Sequence, residues 1–508
     1  FWLKLVGSIA STTQAGFEPA FGIMEQGAAG RPKKLLFFTV PMKGHLVHTA
    51  RLSEWFLQYP SEYEVHVGAS ASVFPFLPEG VLPHVNEEWT AELDAKLVGG
   101  MQAGTKGRDS FDSNARMLDG IDMSLLTVPL KFSLRTVRDV KPDVVICDHS
   151  YGFGNYLHTF CKSQGIPLVV ITSMGRAETM LKPYNMLMML LRHFGTMKRA
   201  MSKMNKGLAE VEAIAGRPLP ERQVPVTIFP SAQVLVEEAP RRHELFTGPF
   251  LPLPSLVEES PARALRRSSS FSAPLTQYPA LKQWVSAAAR SGLPIIYIAL
   301  GTLVRPSEEL IDRLLVGLDE GPWKVLWALP EAQQALLPRK LSDQWYVDDF
   351  LPQFALFRTG LVRAFVSHCG GSSTHEALCQ GVPMVCMPFF GDQYEWADSV
   401  CRYVKAGVLI DKHESTPAQI HRAVNDVLQL PAFKENAAAV AERIVERARI
   451  RLAWLQTHWS DHQVTLERDM KVGVPVAAAI IDACLRGQDP KEVLPPFPAR
   501  SGTCTCCG

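Results

Sequence analysis

His368-Cys-Gly-Gly-Ser-Ser-Thr-His-Glu, directly after the apolar run VRAFVS, has the residue types of an anion-binding turn. Gly370 and Gly371 let backbone approach a ligand closely, and Ser372, Ser373 and Thr374 supply hydroxyls. The helix that would start there carries about half a positive charge at its end, suited to phosphate. Taken alone, such a start is also an ordinary helix cap. Gly301 and Thr302 follow another apolar run and could add a phosphate contact, although by themselves they read as loop chemistry. In the first half, His45 and His48 stand one helical turn apart in PMKGHLVHTARL. That spacing could hold a metal, but a catalytic zinc normally has three protein ligands and no third is evident. A capped helix with an incidental His48 is the expectation. His375 reads as a surface histidine on its helix.

The elements around these residues alternate. KLLFFTV, a helical stretch from Leu46 to Gln58, and EYEVHVGAS read as strand, helix, strand; DVVICD (Asp143 to Asp148), a helix through Cys161 and GIPLVVITS repeat the unit. PIIYIAL, WKVLWAL, VRAFVSH and VPMVCMP restart it in the second half. Runs this apolar predict parallel strands covered on both faces, and ligands at their carboxyl ends. Thr416 and Pro417 predict an N-cap and first turn, and Lys434 to Arg451 a long amphipathic helix. A chain of 508 residues exceeds the size of about 250–300 residues at which single cores stop growing, so two domains are expected. The predicted division is an N-terminal extension at 1–32, a first α/β domain at 33–250 and a Pro/Ser/Arg-rich linker at 251–280. A second α/β domain at 281–470, a helix at 471–490 that could return to the first domain, and a flexible tail at 491–508 follow. Met24 is a plausible start, with the preceding residues extraneous. Arg266 and Arg267 before Ser268, Ser269 and Ser270 read as solvated linker.

Fifty-two basic against 51 acidic residues leave no excess positive charge for a nucleic acid or an anionic membrane surface. The run from Val472 to Leu485 is interrupted by Asp482 and is too short to cross a bilayer of about 30 Å. Seven cysteines between Cys147 and Cys484 lack the paired spacing of a zinc site or disulfide framework, which fits a reducing, cytoplasmic setting. Cys504, Cys506 and Cys507 close the chain in a small-residue tail.

The string FLPQFALFRTGLVRAFVSHCGGSSTHEALCQGVPMVCMPFFGDQYEWAD, Phe350 to Asp398, resembles the donor-binding signature of the UDP-glycosyltransferases that act on small molecules. Its Pro-Gln, His-Cys-Gly, Ser, Glu, Gly-Val-Pro and closing Asp-Gln recur at the family's spacings. The resemblance implies a GT-B fold, two Rossmann-like doubly wound domains facing a cleft. It implies that Phe350, where the family usually has Trp, stacks on uracil; that Leu351 offers backbone to the base edge; and that Gln353 lies beside the ribose. His368 would donate to the diphosphate, with Gly301, Thr302, Gly370, Gly371, Ser372 and Ser373 near it, and Glu376 would accept the ribose hydroxyls. Asp392 and Gln393 would bind the sugar, and Gln393 resembles glucose-using members. Gly371 and Ser372 replace the Trp-Asn of plant members and look like bacterial or sterol-directed relatives, as does PFFGDQYEWAD. Gly44-His45 resembles the family's Gly-His turn, where the histidine is the general base; its helix N-terminus should keep the ring neutral. Asp148, followed by Gly165-Ile166-Pro167 as in the family, would be the partner that fixes its tautomer, whereas Asp143 lies at the strand's wrong end. With GPFLPLP from Gly248, the likeness covers Lys33 to Leu485.

The function implied is inverting transfer of a hexose, glucose by the Gln393 criterion, from a UDP-sugar to a hydroxyl of a small lipophilic acceptor. No metal and no cofactor beyond the donor co-substrate are expected, and a monomer suffices. A UDP-sugar epimerase and a transfer-inactive UDP-sugar-binding protein are the alternatives; no G-x-G-x-x-G supports a dinucleotide oxidoreductase. Sterol, phenolic and macrolide-like acceptors all remain open. The Met-rich stretch Met180 to Met204 either lines an adaptable apolar pocket or is core.

Overall fold

Leu35, Leu36, Phe37 and Phe38 are fully buried in β1 (Lys33–Phe38), which pairs in parallel with β2 (Tyr63–Ala69) on one side and β4 (Val144–Asp148) on the other. Strands this apolar have no solvent face, and helices must cover both sides. The computed structural model describes residues 31–495 apart from 123, 152–153, 173–182, 217–224, 237–239, 241–242, 254–274, 320, 339, 460–470 and 472. Nearly all of the expected extension, most of the linker with its Arg266 to Ser270 patch, and the Cys504, Cys506, Cys507 tail lie outside the described residues.

The first sheet has seven parallel strands in the order β3-β2-β1-β4-β5-β6-β7, completed by β3 (Leu82–Val85), β5 (Leu168–Ile171), β6 (Val226–Phe229) and β7 (Glu244–Phe246). Strand order reverses between β1 and β4, which opens a crevice at their carboxyl ends. α1 (Lys43–Phe56) leaves the end of β1. Three helices that no sequence pattern announced, α2 (Ala91–Thr105), α3 (Ser110–Gly120) and α4 (Ser124–Val140), lie between β3 and β4. α5 (Gly154–Ser163), α6 (Pro183–Arg192) and α7 (Phe194–Ala215) follow in the same half. In the described part of the methionine stripe, Met189 and Met197 are buried and pack with Ala115 of α3, whereas Met188, Met201 and Met204 are half-buried and Leu187 and Leu191 are exposed.

α8 (Pro279–Ser291) leads into the second sheet, which has six parallel strands in the order β10-β9-β8-β11-β12-β13. These are β8 (Ile295–Ala299), β9 (Lys324–Ala328), β10 (Trp345–Asp348), β11 (Val362–Ser367), β12 (Met384–Cys386) and β13 (Gly407–Leu409). The order reverses again between β8 and β11, so a second crevice forms where Gly301, Thr302 and His368 follow their strands. The intervening helices are α9 (Glu308–Leu318), α10 (Glu331–Gln334), α11 (Gln353–Arg358), α12 (Gly371–Leu378) and α13 (Gln393–Asp398). α14 (Pro417–Gln429) opens with a capping box between Thr416 and Gln419, and α15 (Pro431–His458) extends the long helix at both ends.

The segment from 251 does not start as a solvated linker. Leu251 and Leu253 are buried, and Pro252 bridges to Lys471. The apolar run near the C-terminus is α16 (Gly473–Leu485), buried along nearly its whole length against α1 of the first domain. Its Asp482 accepts hydrogen bonds from Tyr63 Oη at 3.0 Å and Trp459 Nε1 at 3.2 Å and pairs with Arg486 at 2.7 Å. Among the described residues no helix is long and apolar enough to cross a membrane.

Side chains from the first domain grip the second. Asn114 Oδ1 accepts from the Gly391 amide at 3.0 Å, and the Gln102 side chain donates to the Leu303 carbonyl. Buried Lys412 donates to the Phe389 carbonyl at 2.6 Å, Ser113 Oγ at 3.2 Å and Tyr394 Oη at 3.3 Å. Three donors meet three acceptors, which makes burial of the ammonium tolerable. Burial still pushes its pKa down to about 8, against the pull of Asp411, Asp112 and Asp109. Lys412→Ala is expected to lower the midpoint of chemical denaturation, costing roughly 1–3 kcal/mol, because it removes the charged donor shared by the Phe389 carbonyl, Ser113 and Tyr394. Lys412→Met, which keeps the apolar stem, should lose less than Ala; an unchanged midpoint in both variants would show that the grip contributes nothing to stability.

Candidate active site between the two sheets

At the first crevice, His45 sits in the first turn of α1 and Asp148 is the last residue of β4. His45 Nδ1 lies 3.1 Å from both carboxylate oxygens of Asp148. The ring nitrogen facing a carboxylate carries the proton, so Nε2 is left with a lone pair. The Ser150 amide donates to Asp148 Oδ1 at 2.8 Å. Asp148 is held down to about pH 2: burial opposes its charge, but His45, His149 and the hydrogen bonds from His45 and Ser150 outweigh it.

The expectation that a helix N-terminus keeps His45 readily neutral is reversed. Burial does disfavour its charge, yet the charge and hydrogen bond of Asp148, with Asp392 of the facing domain adding, raise its pKa above the ordinary 6.5. A full negative charge at hydrogen-bond distance outweighs about half a charge spread over a helix end. His149 stacks on His45, with ring centroids 5.1 Å apart, and burial pushes its pKa down to about 4. It therefore stays neutral beside a base that can charge.

His48 does not join His45. Its ring lies edge-on to Phe250, and burial, followed by Arg51 and His45, pushes its pKa down to about 3. Among the described residues, the groups whose ligand atoms come within 4.8 Å of one another are His45, Asp148 and His149. A metal there would have to displace the proton shared by His45 and Asp148. His149 was invisible to spacing arguments because its relation to His45 arises from strand adjacency.

At the second crevice, His368 Nδ1 lies 3.4 Å from the Ala299 carbonyl, and burial pushes its pKa down to about 4. With Nδ1–H on that carbonyl, the neutral ring has a lone pair on Nε2. Donation from Nε2 to a diphosphate, as the family likeness implies, thus requires proton uptake, which a nearby dianion favours. Glycine is required on both sides of this ring. A Cβ on Gly301, whose φ is +81°, would fall 2.6 Å from Nε2, and one on Gly370 would fall 2.5 Å from it. Between them Cys369 holds a left-handed φ of 63°, a strained turn that starts α12. Gly371, Ser372 and Ser373 form the first turn of that helix.

Gln353 Nε2 donates to Glu376 Oε2 at 2.7 Å and to Ser373 Oγ at 3.2 Å, which fixes the carboxylate. Burial raises the Glu376 pKa, against Gln353 and Arg51. Phe350 is 44% exposed, as a stacking platform must be; Tyr278 lies beside it and Lys43 of the first domain reaches over its ring at 5.7 Å. Leu351 is buried and Thr302 exposed, its carbonyl held by Arg305. Gln393 is buried, with Oε1 taken by the Phe389 and Phe390 amides at 2.8 and 3.2 Å, so only its Nε2 can address a sugar. Asp392 Oδ2 accepts from Trp396 Nε1 at 3.0 Å. The loop bearing both is the one Asn114 and Lys412 grip.

His375 is a buried bridge, contrary to its reading as a surface residue. Its Nδ1 donates to the Gly371 carbonyl at 2.7 Å, and its Nε2 accepts from the Ala232 amide at 2.9 Å. The ring must be neutral to do both, and burial pushes its pKa down to about 4.

The family model described as "UDP-glucoronosyl and UDP-glucosyl transferase" matches residues 272–446. A mouse 2-hydroxyacylsphingosine 1-beta-galactosyltransferase is 29% identical over 162 residues, 32% of this chain and 29% of that protein. UDP-glycosyltransferase 74C1 of Arabidopsis thaliana is 31% identical over 155 residues, 29% of this chain and 34% of its own. The chain thus matches about a third of the length of these relatives. Among solved structures, a UDP-glucose: anthocyanidin 3-O-glucosyltransferase in complex with UDP superposes with a TM-score of 0.56 at 17% identity, covering 88% of this chain and 99% of that one. The glycotransferase of kitacinnamycin gives 0.55 at 17% identity, covering 82% of this chain and 96% of that one. At these identities the likeness concerns the fold: two Rossmann-like α/β domains in the GT-B arrangement. In sequence, the likeness to the UDP-glycosyltransferase family rests on residues 272–446, about a third of the chain.

Proposed function

We propose that the protein transfers glucose from UDP-glucose to a hydroxyl of a small lipophilic acceptor, with inversion at the anomeric carbon and without a metal. The observation that carries this reading is the His45–Asp148 pair facing Asp392 across the cleft, close enough for the Asp392 charge to act on the imidazole. His45 Nε2 takes the acceptor proton as the oxygen attacks the anomeric carbon, and UDP departs from the opposite face. Asp148 stabilises the imidazolium that results. Amides at the start of α12 meet the charge growing on the diphosphate without having to reorganise. Gln393 Nε2 and Asp392 address sugar hydroxyls. Relatives named for an acylsphingosine and an anthocyanidin support a lipophilic acceptor bearing a hydroxyl.

His45→Ala should reduce transfer by roughly 10²–10⁴-fold while UDP affinity measured by calorimetry stays unchanged. Unaltered transfer would remove His45 from its role, and epimer formation from UDP-glucose without acceptor would replace the reaction class. Transfer should survive exhaustive treatment with EDTA; loss that zinc or magnesium restores would overturn the metal-free mechanism.

The base acts only when neutral, so kcat/KM should fall on the acid side with an inflection above pH 6.5, the ordinary value from which His45 is raised. Asp148→Asn removes the main cause of that rise and should move the inflection to lower pH while cutting the rate; an inflection that stays put would refute the coupling. In stability terms the raised His45 contributes fully below 6.5 and loses its contribution as pH rises through its folded value. The depressed Asp148 contributes above 3.8 and loses its contribution as pH falls toward about 2. The pair therefore stabilises most between those two ordinary values.

A further inference from the structure

The loop that carries Asp392 and Gln393 belongs to the second domain but is packed from the first. Met117 of α3 is buried in the second domain's core cluster together with Phe389 and Phe390, and half-buried Met101 of α2 rests against the same cluster. Gly104 of α2 makes the approach possible: a Cβ there would fall 3.0 Å from the Phe390 Cβ. One turn before Met117, on the same face of α3, Asn114 is 7% exposed and accepts from the Gly391 amide at 3.0 Å. Its neighbour Ser113 shares the Lys412 ammonium with the Phe389 carbonyl.

Gly391 is the pivot of this contact. It lies between β12 and α13, outside both, and its φ of +63° is a left-handed turn that glycine adopts freely. Asp392 and Gln393 are the next two residues. Bonds within the loop preserve its shape: Gln393 Oε1 takes the Phe389 and Phe390 amides, and Trp396 Nε1 donates to Asp392. The bond from Asn114 ties that shape to the first domain.

The groups read as nucleotide contacts are supported differently. Gln353 donates to Glu376 and Ser373, and His368 faces the Ala299 carbonyl, all inside the second domain. The two ends of a nucleotide sugar would therefore meet surfaces with different anchors. We propose that Asn114 is a positioning residue for the sugar of the donor: by holding the Gly391 amide it sets Asp392 and Gln393, so that reading of the hexose depends on the first domain. This rests on the reading of Asp392 and Gln393 as the sugar-binding pair. Asn114 acts through the loop, and a loop set wrongly by a fraction of an ångström loses hydroxyl contacts while the diphosphate stays bound.

The test compares UDP affinity, measured by calorimetry on the full chain, with the steady-state KM for UDP-glucose and for UDP-galactose. Asn114→Ala removes the acceptor. It should raise the KM for the preferred donor by roughly 2- to 10-fold, the size of one uncharged hydrogen bond, and narrow the kcat/KM preference between the two sugars, with UDP affinity nearly unchanged. Asn114→Asp keeps an oxygen for the Gly391 amide and should hold KM and preference close to the wild-type values. Unchanged KM and preference in Asn114→Ala would overturn the assignment, as would an equal loss for UDP and the UDP-sugars, or an Asp variant as impaired as the Ala variant. In each of those cases the donor reading itself stands. If the wild-type protein does not bind UDP, the donor reading fails and the Asn114 assignment with it.

Discussion

The hydrogen bond between His45 and Asp148 spans 103 residues of sequence and exists because β1 and β4 are neighbours. Their pairing puts Phe38 beside Cys147, so the turn after one strand meets the last residue of the other. Everything that makes the first crevice chemically useful follows from that adjacency. Its counterpart, β8 beside β11, brings Gly301 against the His368 ring. Two reversals of strand order, facing each other, bring an imidazole–carboxylate pair opposite an anion-binding helix start.

Burial sorts the histidines of this region. His48, His149, His368 and His375 are all driven toward the neutral form, whereas His45 alone among them hydrogen-bonds a carboxylate, which reverses the trend. The contrast does not come from exposure, since each of the five is at least half withdrawn from solvent. It comes from where Asp148 lies. One ring has its affinity for a proton raised, and its neighbours provide shape and hydrogen bonds without competing for protons.

Much of this was legible in the residue pattern. The apolar runs became the expected strands, and Thr416 with Pro417 opened the expected helix, because such features depend on neighbours a few positions away. The donor string was readable because it is contiguous. What was not legible depends on pairs distant in sequence: His149 against His45, Lys412 against Ser113, His375 against Ala232. α2, α3 and α4 also escaped notice. α2 is interrupted by Gly99, Gly100 and Gly104, and α4 carries Pro129, residues that weaken a helical pattern when no tertiary contact is in view. The charge state of His45 was misjudged for the same reason, since a helix end can be read from sequence but the distance to Asp148 cannot.

The docking of α16 on α1 means that the backbone passes between the domains twice, once after β7 and once after α15. These crossings set an order of assembly. During synthesis the first domain emerges early, yet the apolar surface that α16 covers stays bare until residue 485 has left the ribosome. The first domain's apolar surface under α16 is therefore completed only after the whole second sheet has been made.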